Sequence, residues 1–210
     1  MRLHPAAPYM LKKNTYASET PVSDGKHIYV YFGYMRLYCL DWNGAVVWKH
    51  KWPPTAMLLR WGTSSSPILH DQWVIIVKEN EEQSWMAAYA KKSGQEQWKV
   101  LRDEPCNFSA PFVWENDMRT EIITTGVNKT RSYDLMGQPL WTIQGMSTIC
   151  NPTPFADEKR LYVAAGCVED KLRPNKPIYA IRPGASGDIT LEEGTHQNQW
   201  IEWMVDSAAP

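Results

Sequence analysis

Few residues in this chain combine the type and spacing that catalysis or metal binding needs. His4, His27, His50, His70 and His196 are dispersed, and no HExxH pair would put two imidazoles on one helix face. Cys39, Cys106, Cys150 and Cys167 stand far apart with no CxxC spacing, so no metal site is expected. They read as buried or idle thiols, and a disulfide between two of them stays open. Around Gly62-Thr63-Ser64-Ser65-Ser66 the second glycine of a serine nucleophile elbow is missing. There is no phosphate-binding loop and no EF-hand loop. The polar groups left to consider stand just ahead of prolines, at Glu19, Ser64, Asn107 and Asn151. Arg60 and Trp61 lie shortly before the second of them, and Arg131 begins a strand-like run farther on. No catalytic role is expected for any of these. Side chains of these types bind ligands or partners by charge and hydrogen bonding, or else they cap loops and backbone.

The elements that must position these groups repeat. Prolines 21, 67, 111 and 154 each follow a run of small or polar residues and are spaced by 46, 44 and 43 residues. In phase with them runs a second figure, in which a strand, a tight turn with glycine and a second strand end in tryptophan. It occurs as Leu40 to Trp48, Ala88 to Trp98 and Tyr133 to Trp141, with Gly44, Gly94 and Gly137 each four residues before the indole. A fixed period of this size marks stacked supersecondary units. Each unit holds β-rich runs; in the first they are Thr20–Val22, Ile28–Phe32, Leu37–Leu40 and Val46–Trp48. Asp24-Gly25 and Asn43-Gly44 between them are strong hairpin signals. Four short antiparallel strands per unit predict an all-β chain built of β-propeller blades. A thin blade cannot bury both faces alone, so Trp48, Trp98, Trp141 and, in the fourth unit, Trp203 are expected to fill seams between blades. Each such burial is worth at most roughly 4–6 kcal/mol.

These motifs resemble the repeat of the pyrroloquinoline-quinone (PQQ)-like propellers, in which alanine, a turn, Ser/Thr-Gly, three residues and Trp recur. That superfamily holds quinoprotein alcohol dehydrogenases and the propeller lipoprotein of the bacterial outer-membrane barrel-assembly machinery. Ala17 to Gly25, Trp61 to Pro67 and Tyr179 to Ile189 are similar to the non-enzymatic, assembly-factor branch. The resemblance covers roughly residues 15 to 205. It implies a propeller of seven or eight blades, of which the period here accommodates about four. It also implies a periplasmic or extracellular setting and a protein partner. Quinoprotein dehydrogenases as a family carry an adjacent Cys-Cys pair over the quinone, a catalytic Asp and a calcium site. No Cys-Cys pair exists in this sequence, so neither PQQ nor calcium is expected.

Taken in order, residues 1–15 read as a linker or the tail of a missing blade. Blades are expected at about 16–52, 62–101, 107–143 and 147–205, with a tail at 206–210. The acidic run Lys78 to Gln83 reads as a solvated loop tip. The fourth blade is interrupted twice, at Gly166 to Pro177 and at Pro183 to Gln199. In a propeller the first strand of each blade lines the central channel, so Glu19, Ser64, Asn107 and Asn151 are expected at the channel mouth. Trp114, followed by Glu115-Asn116-Asp117, reads as a seam residue or a turn-borne anchor. Met1 to Pro5 lack the basic and apolar segments of a secretory signal. No apolar run approaches a membrane span, and a net charge of −1 offers no field for nucleic acid. Open blade faces would favour self-association. Three functions follow as expectations. The first is a non-catalytic interaction scaffold like the assembly factor. The second is half of a quinone-dependent dehydrogenase. The third is a propeller binding or processing carbohydrate or another small ligand at the channel mouth.

Overall fold

The computed structural model describes residues 18–33, 35–166 and 176–206. The chain is all-β, its sheets the antiparallel blades of a partial β-propeller, and it divides into two compact units, Met1–Cys106 and Asn107–Pro210. The first unit holds two four-stranded sheets. One is β1 (Val22–Ser23), β2 (Ile28–Phe32), β3 (Arg36–Leu40) and β4 (Val46–Lys51); the other is β5 (Ile68–His70), β6 (Trp73–Lys78), β7 (Ser84–Ala90) and β8 (Glu96–Arg102). The second unit repeats the plan with β9 (Phe112–Glu115), β10 (Thr120–Gly126), β11 (Lys129–Tyr133) and β12 (Pro139–Gln144). Its last sheet is β13 (Phe155–Ala156), β14 (Leu161–Ala164), β15 (Ile178–Ile181) and β17 (Ile201–Val205). The segments read as a leading linker and most of the tail lie outside the described residues, as do Cys167 and the Arg173 loop.

Local chemistry explains the turns. Asp41 Oδ1 accepts the Asn43 and Ala45 amides at 2.9 and 2.8 Å, and Asp134 Oδ1 accepts Met136 and Gln138, both at 2.8 Å. This is the Asx turn that lets the chain reverse without a ladder bond. In every sheet the strand that bears the tryptophan carries one extra residue. Val47, Gln97, Leu140 and Glu202 are skipped in the register, and the next residue is the tryptophan. Trp48, Trp98, Trp141 and Trp203 therefore stand opposite Cys39, Ala88, Ser132 and Ala180, at the same place in all four sheets. A bulge of this kind turns the side chain that follows it and sharpens the local twist.

The core of the first unit lies between its two sheets. Tyr29, Tyr31, Leu37 and Cys39 meet Val74, Ile76, Trp85, Ala87 and Tyr89, all buried. The outer strand of the first sheet lays three rings, Trp48, His50 and Trp52, against the second. Trp52 and Trp85 are 5.3 Å apart and His50 and Tyr89 4.5 Å. The Trp48 indole donates to Lys91 O at 2.8 Å, and His50 Nε2 lies 2.6 Å from Gly94 O. In the second unit Trp114, Ile123, Trp141 and Ile143 pack with Leu161, Val163, Tyr179 and Ile181. Trp114 belongs to this core, on β9, and not to a turn. Trp141 donates its indole to Glu121 Oε2 in its own sheet at 2.7 Å, unlike Trp48, which reaches the next turn.

One element departs from four strands per sheet. Within the 183–199 insertion, β16 (Gly187–Asp188) runs parallel to β12, with Trp141 opposite Gly187, and makes a fifth strand. Ile189 N–H donates to Thr142 O at 2.9 Å and Gln144 N–H to Thr190 Oγ1 at 3.0 Å, so the outer edge of that sheet is paired instead of left open.

Gly94 ties turn to seam. Its φ is +73°, and a Cβ there would sit 2.7 Å from Trp48 Cδ2. Gly94→Ala is expected to cost about 1–2 kcal/mol for the left-handed backbone and about 1–3 kcal/mol more for the clash. In a Trp48→Ala background only the backbone part should remain. Denaturant unfolding of both single variants and the double variant checks this, and strictly additive losses would contradict the contact.

Candidate functional site

The pre-proline groups are used to join neighbouring sheets within each unit. Glu19, buried just ahead of β1, accepts the Gly33 amide at 3.0 Å and the Thr63 hydroxyl through Oε1, while Thr20 N–H donates to Ser66 Oγ at 2.9 Å. Thr63 and Ser66 lie in the next pre-proline segment, one repeat along the chain. In the second unit Asn107 donates to Thr125 O at 2.6 Å and accepts the Cys150 amide at 2.9 Å, and Ser109 donates to Pro152 O at 2.8 Å. Burial holds the Glu19 carboxyl above its usual range, against the lowering effect of Thr63 and backbone donors. Ser64 is half-buried beside the Glu19 latch, and Asn151 is exposed beside the Asn107 one. Arg60 is exposed at the end of a short 3-10 turn, Leu58–Arg60, with Trp61 half-buried after it. Arg131 is half-buried on β11, opposite Thr124 and Thr142. The latches thus bring Glu19 to the Ser64 segment and Asn107 to the Asn151 segment, with Arg60 and Arg131 outside them.

The run read as a solvated acidic loop is corrected by its burial. Glu81 and Glu82 face solvent, but Lys78, Glu79 and Asn80 are 3, 4 and 2% exposed. Glu79 Oε1 lies 2.9 Å from Arg102 Nη2, and Glu104 lies 3.4 Å from the same nitrogen; all three side chains are shut off from water. Two carboxyl groups thus stand against this guanidinium in a low-dielectric site. Burial, opposed by Arg102 and reinforced by Glu104, pushes the Glu79 carboxyl up to about 7. Lys78 donates to Thr55 Oγ1 at 2.6 Å, and burial brings its ammonium down to about 8.

A cleft of about 320 Å³ opens in the second unit, and the sequence reading missed it. The 183–199 insertion lines it with Thr190, Leu191, Glu192, Glu193 and His196, while β15 contributes Tyr179, β17 contributes Met204, and the residue after β17 adds Asp206. The signal was present as Glu192-Glu193-Gly194-Thr195-His196, but only the fold sets that loop against Tyr179.

A family model described as outer membrane protein assembly factor BamB matches residues 10–113. No curated protein sequence matches the chain. Among solved structures it is similar to BamB from Moraxella catarrhalis, with a TM-score of 0.55 at 17% identity, over 75% of this chain and 46% of that one. It is similar to a quinohemoprotein alcohol dehydrogenase from Pseudomonas putida HK5, with a TM-score of 0.57 at 14% identity, over 89% and 33%. A europium-containing methanol dehydrogenase gives a TM-score of 0.61 at 12% identity, over 88% and 40%. The chain spans less than half the length of each. At these identities the likeness is one of fold.

The three described cysteines lie apart from one another. Cys39 sits inside a sheet between Tyr29 and Trp48, Cys106 follows β8 and Cys150 bridges to Gly166. Each is a free, buried thiol, and burial pushes Cys39 up to about 11 and Cys106 up to about 12. No group of three or more His, Cys, Asp or Glu is placed to hold an ion among those residues. No helix there is long and apolar enough to cross a membrane.

Glu79 makes the fold sensitive to pH. Its folded value near 7 lies above the ordinary 4.5, so its contribution is full below 4.5 and is lost as pH rises through about 7. Glu19 shifts in the same direction. Glu79→Gln removes the titrating carboxyl beside Arg102 and keeps the side chain's size. Stability of the parent protein is expected to fall by about 1–3 kcal/mol across this window and that of the variant to fall less, keeping only the part that Glu19 contributes. Equal pH slopes in denaturant unfolding would contradict the raised Glu79 carboxyl.

Proposed function

We propose that this chain, similar over residues 10–113 to the outer-membrane assembly-factor model, acts as a non-catalytic protein-interaction scaffold of that kind, in the bacterial periplasm. The observation that carries this reading is how the polar groups are used. Glu19 and Asn107, the best candidates for a channel-mouth site, are buried and committed to holding sheets together. Apolar surface, in contrast, is left uncommitted. Phe155, Tyr162 and Trp203 stand in one cross-strand row on the last sheet, with rings 5.0 and 5.9 Å apart. Phe155 is 61% exposed and Trp203 37%. An exposed aromatic row beside a bidentate Arg160–Glu202 pair, at 2.8 and 2.7 Å, has the anatomy of a binding face with a polar rim. The match to the assembly-factor model over residues 10–113 supports the same reading.

Affinity purification from bacterial envelope extract tests the proposal. A barrel-assembly component should copurify with the protein and be lost from a Phe155→Ser, Trp203→Ser variant. Alcohol oxidation after addition of PQQ and calcium, or copurification unchanged in the variant, would contradict it.

A further inference from the structure

We propose that the cleft between the 183–199 insertion and the last sheet is a binding site for an organic cation, a guanidinium or ammonium group carried on a short methylene chain. Three carboxylates, Glu192, Glu193 and Asp206, stand on its walls, and none of them has a side-chain hydrogen bond or ion pair among the described residues. Neither lysine nor arginine is among the described residues that line it. The local field is therefore negative in a chain whose overall charge is close to zero.

A second, independent feature points to a ligand. Tyr179 is 5% exposed, lines the cleft and, among the described residues, has no hydrogen-bond partner for its hydroxyl. The ring is packed away while the oxygen is not sealed in protein, so a group entering the cleft can reach it. Here the unused oxygen lies near Asp206, whose charge, after burial itself, helps push the phenol up to about 12. A donor-rich cation would satisfy both, with N–H groups donating to the phenol oxygen and to the carboxylate.

The rest of the lining selects the kind of cation. No described group of three acidic or imidazole side chains converges tightly enough for a metal ion. Leu191 and Met204 add apolar surface to the lining beside the acids. That combination suits a charged head on an aliphatic stem, which buries its methylenes and keeps its charge among carboxylates. A volume of about 320 Å³ holds one such group. The same chemistry arises from an arginine or lysine side chain on a partner polypeptide or from a free amine. Only the first source rests on the scaffold reading.

Titration calorimetry on the full chain tests the site with two cationic probes, agmatine and a capped Gly-Gly-Arg-Gly-Gly peptide, and with a neutral peptide carrying citrulline in place of arginine. At least one cationic probe should bind, with affinity falling as salt is raised, and the citrulline peptide should not. Asp206→Asn and Glu192→Gln/Glu193→Gln should each weaken binding roughly fivefold, and Tyr179→Phe roughly threefold. Glu158→Gln, an exposed acid outside the cleft, should leave it unchanged. A peptide that binds more tightly than agmatine assigns the cation to a partner polypeptide; the reverse assigns it to a free amine. No binding of either cation, equal binding of the citrulline peptide, or unchanged affinity in the cleft variants would overturn the proposal. Such a failure leaves the scaffold reading standing, because that reading depends on Phe155 and Trp203, which lie outside the cleft.

Discussion

A four-stranded sheet with strands of two to seven residues cannot hide its own faces, and everything else in this molecule follows from that constraint. β2 is apolar at every position, so both of its faces need cover. In each unit the cover is a second sheet. Tyr29, Leu37 and Cys39 are dry only because Val74, Ile76 and Tyr89 lie over them. The β-bulge ahead of Trp48 and of Trp141 serves the same end, because it sets the orientation of the largest side chain available for the gap, whereas Trp203, expected in a seam, stands 37% exposed on the last sheet. Trp48 shows the result, with its ring against Gly94 and its N–H on Lys91 O.

Polar groups enter this scheme as fasteners. Side chains from one pre-proline segment reach backbone and hydroxyl groups one repeat farther on, in both units, with different residue types. A glutamate does it in the first and an asparagine in the second. A buried polar group is tolerated only when its partners are supplied, and these latches supply them from the neighbouring repeat. Glu121 solves a related problem inside one sheet. Fully buried, it accepts from Trp141, Ser132, Asn116 and Arg119. Binding then falls to what the packing leaves over: the aromatic row of the last sheet and the cleft built by its insertion.

The repeat was legible because its causes are local. Turn glycines, Asx turns and a tryptophan at fixed spacing are read straight from the chain, and the prolines give the period. The fourth strand of the last blade was found at Trp200 to Trp203 for the same reason. What the sequence could not show depends on contacts between distant residues. Lys78 to Gln83 reads as a hydrophilic loop, yet Glu79 is buried because Arg102, 23 residues away, returns beside it on the next strand but one. Glu19 and Asn107 read as exposed binding groups, and only the stacking of neighbouring repeats turns them inward. The cleft is hidden for the same reason, since an ordinary acidic turn becomes a site only when it is set against Tyr179.

Native-state amide hydrogen exchange on Ile76→Ala tests the central claim most directly, because Ile76 is fully buried in the first unit's core and the truncation costs about 2–5 kcal/mol. If the two sheets stand only by covering each other, amides of β2 and β3 lose protection to the same extent as those of β6 and β7. Protection kept in β2 and β3 while β6 and β7 open would show that the first sheet holds by itself, and would contradict the account.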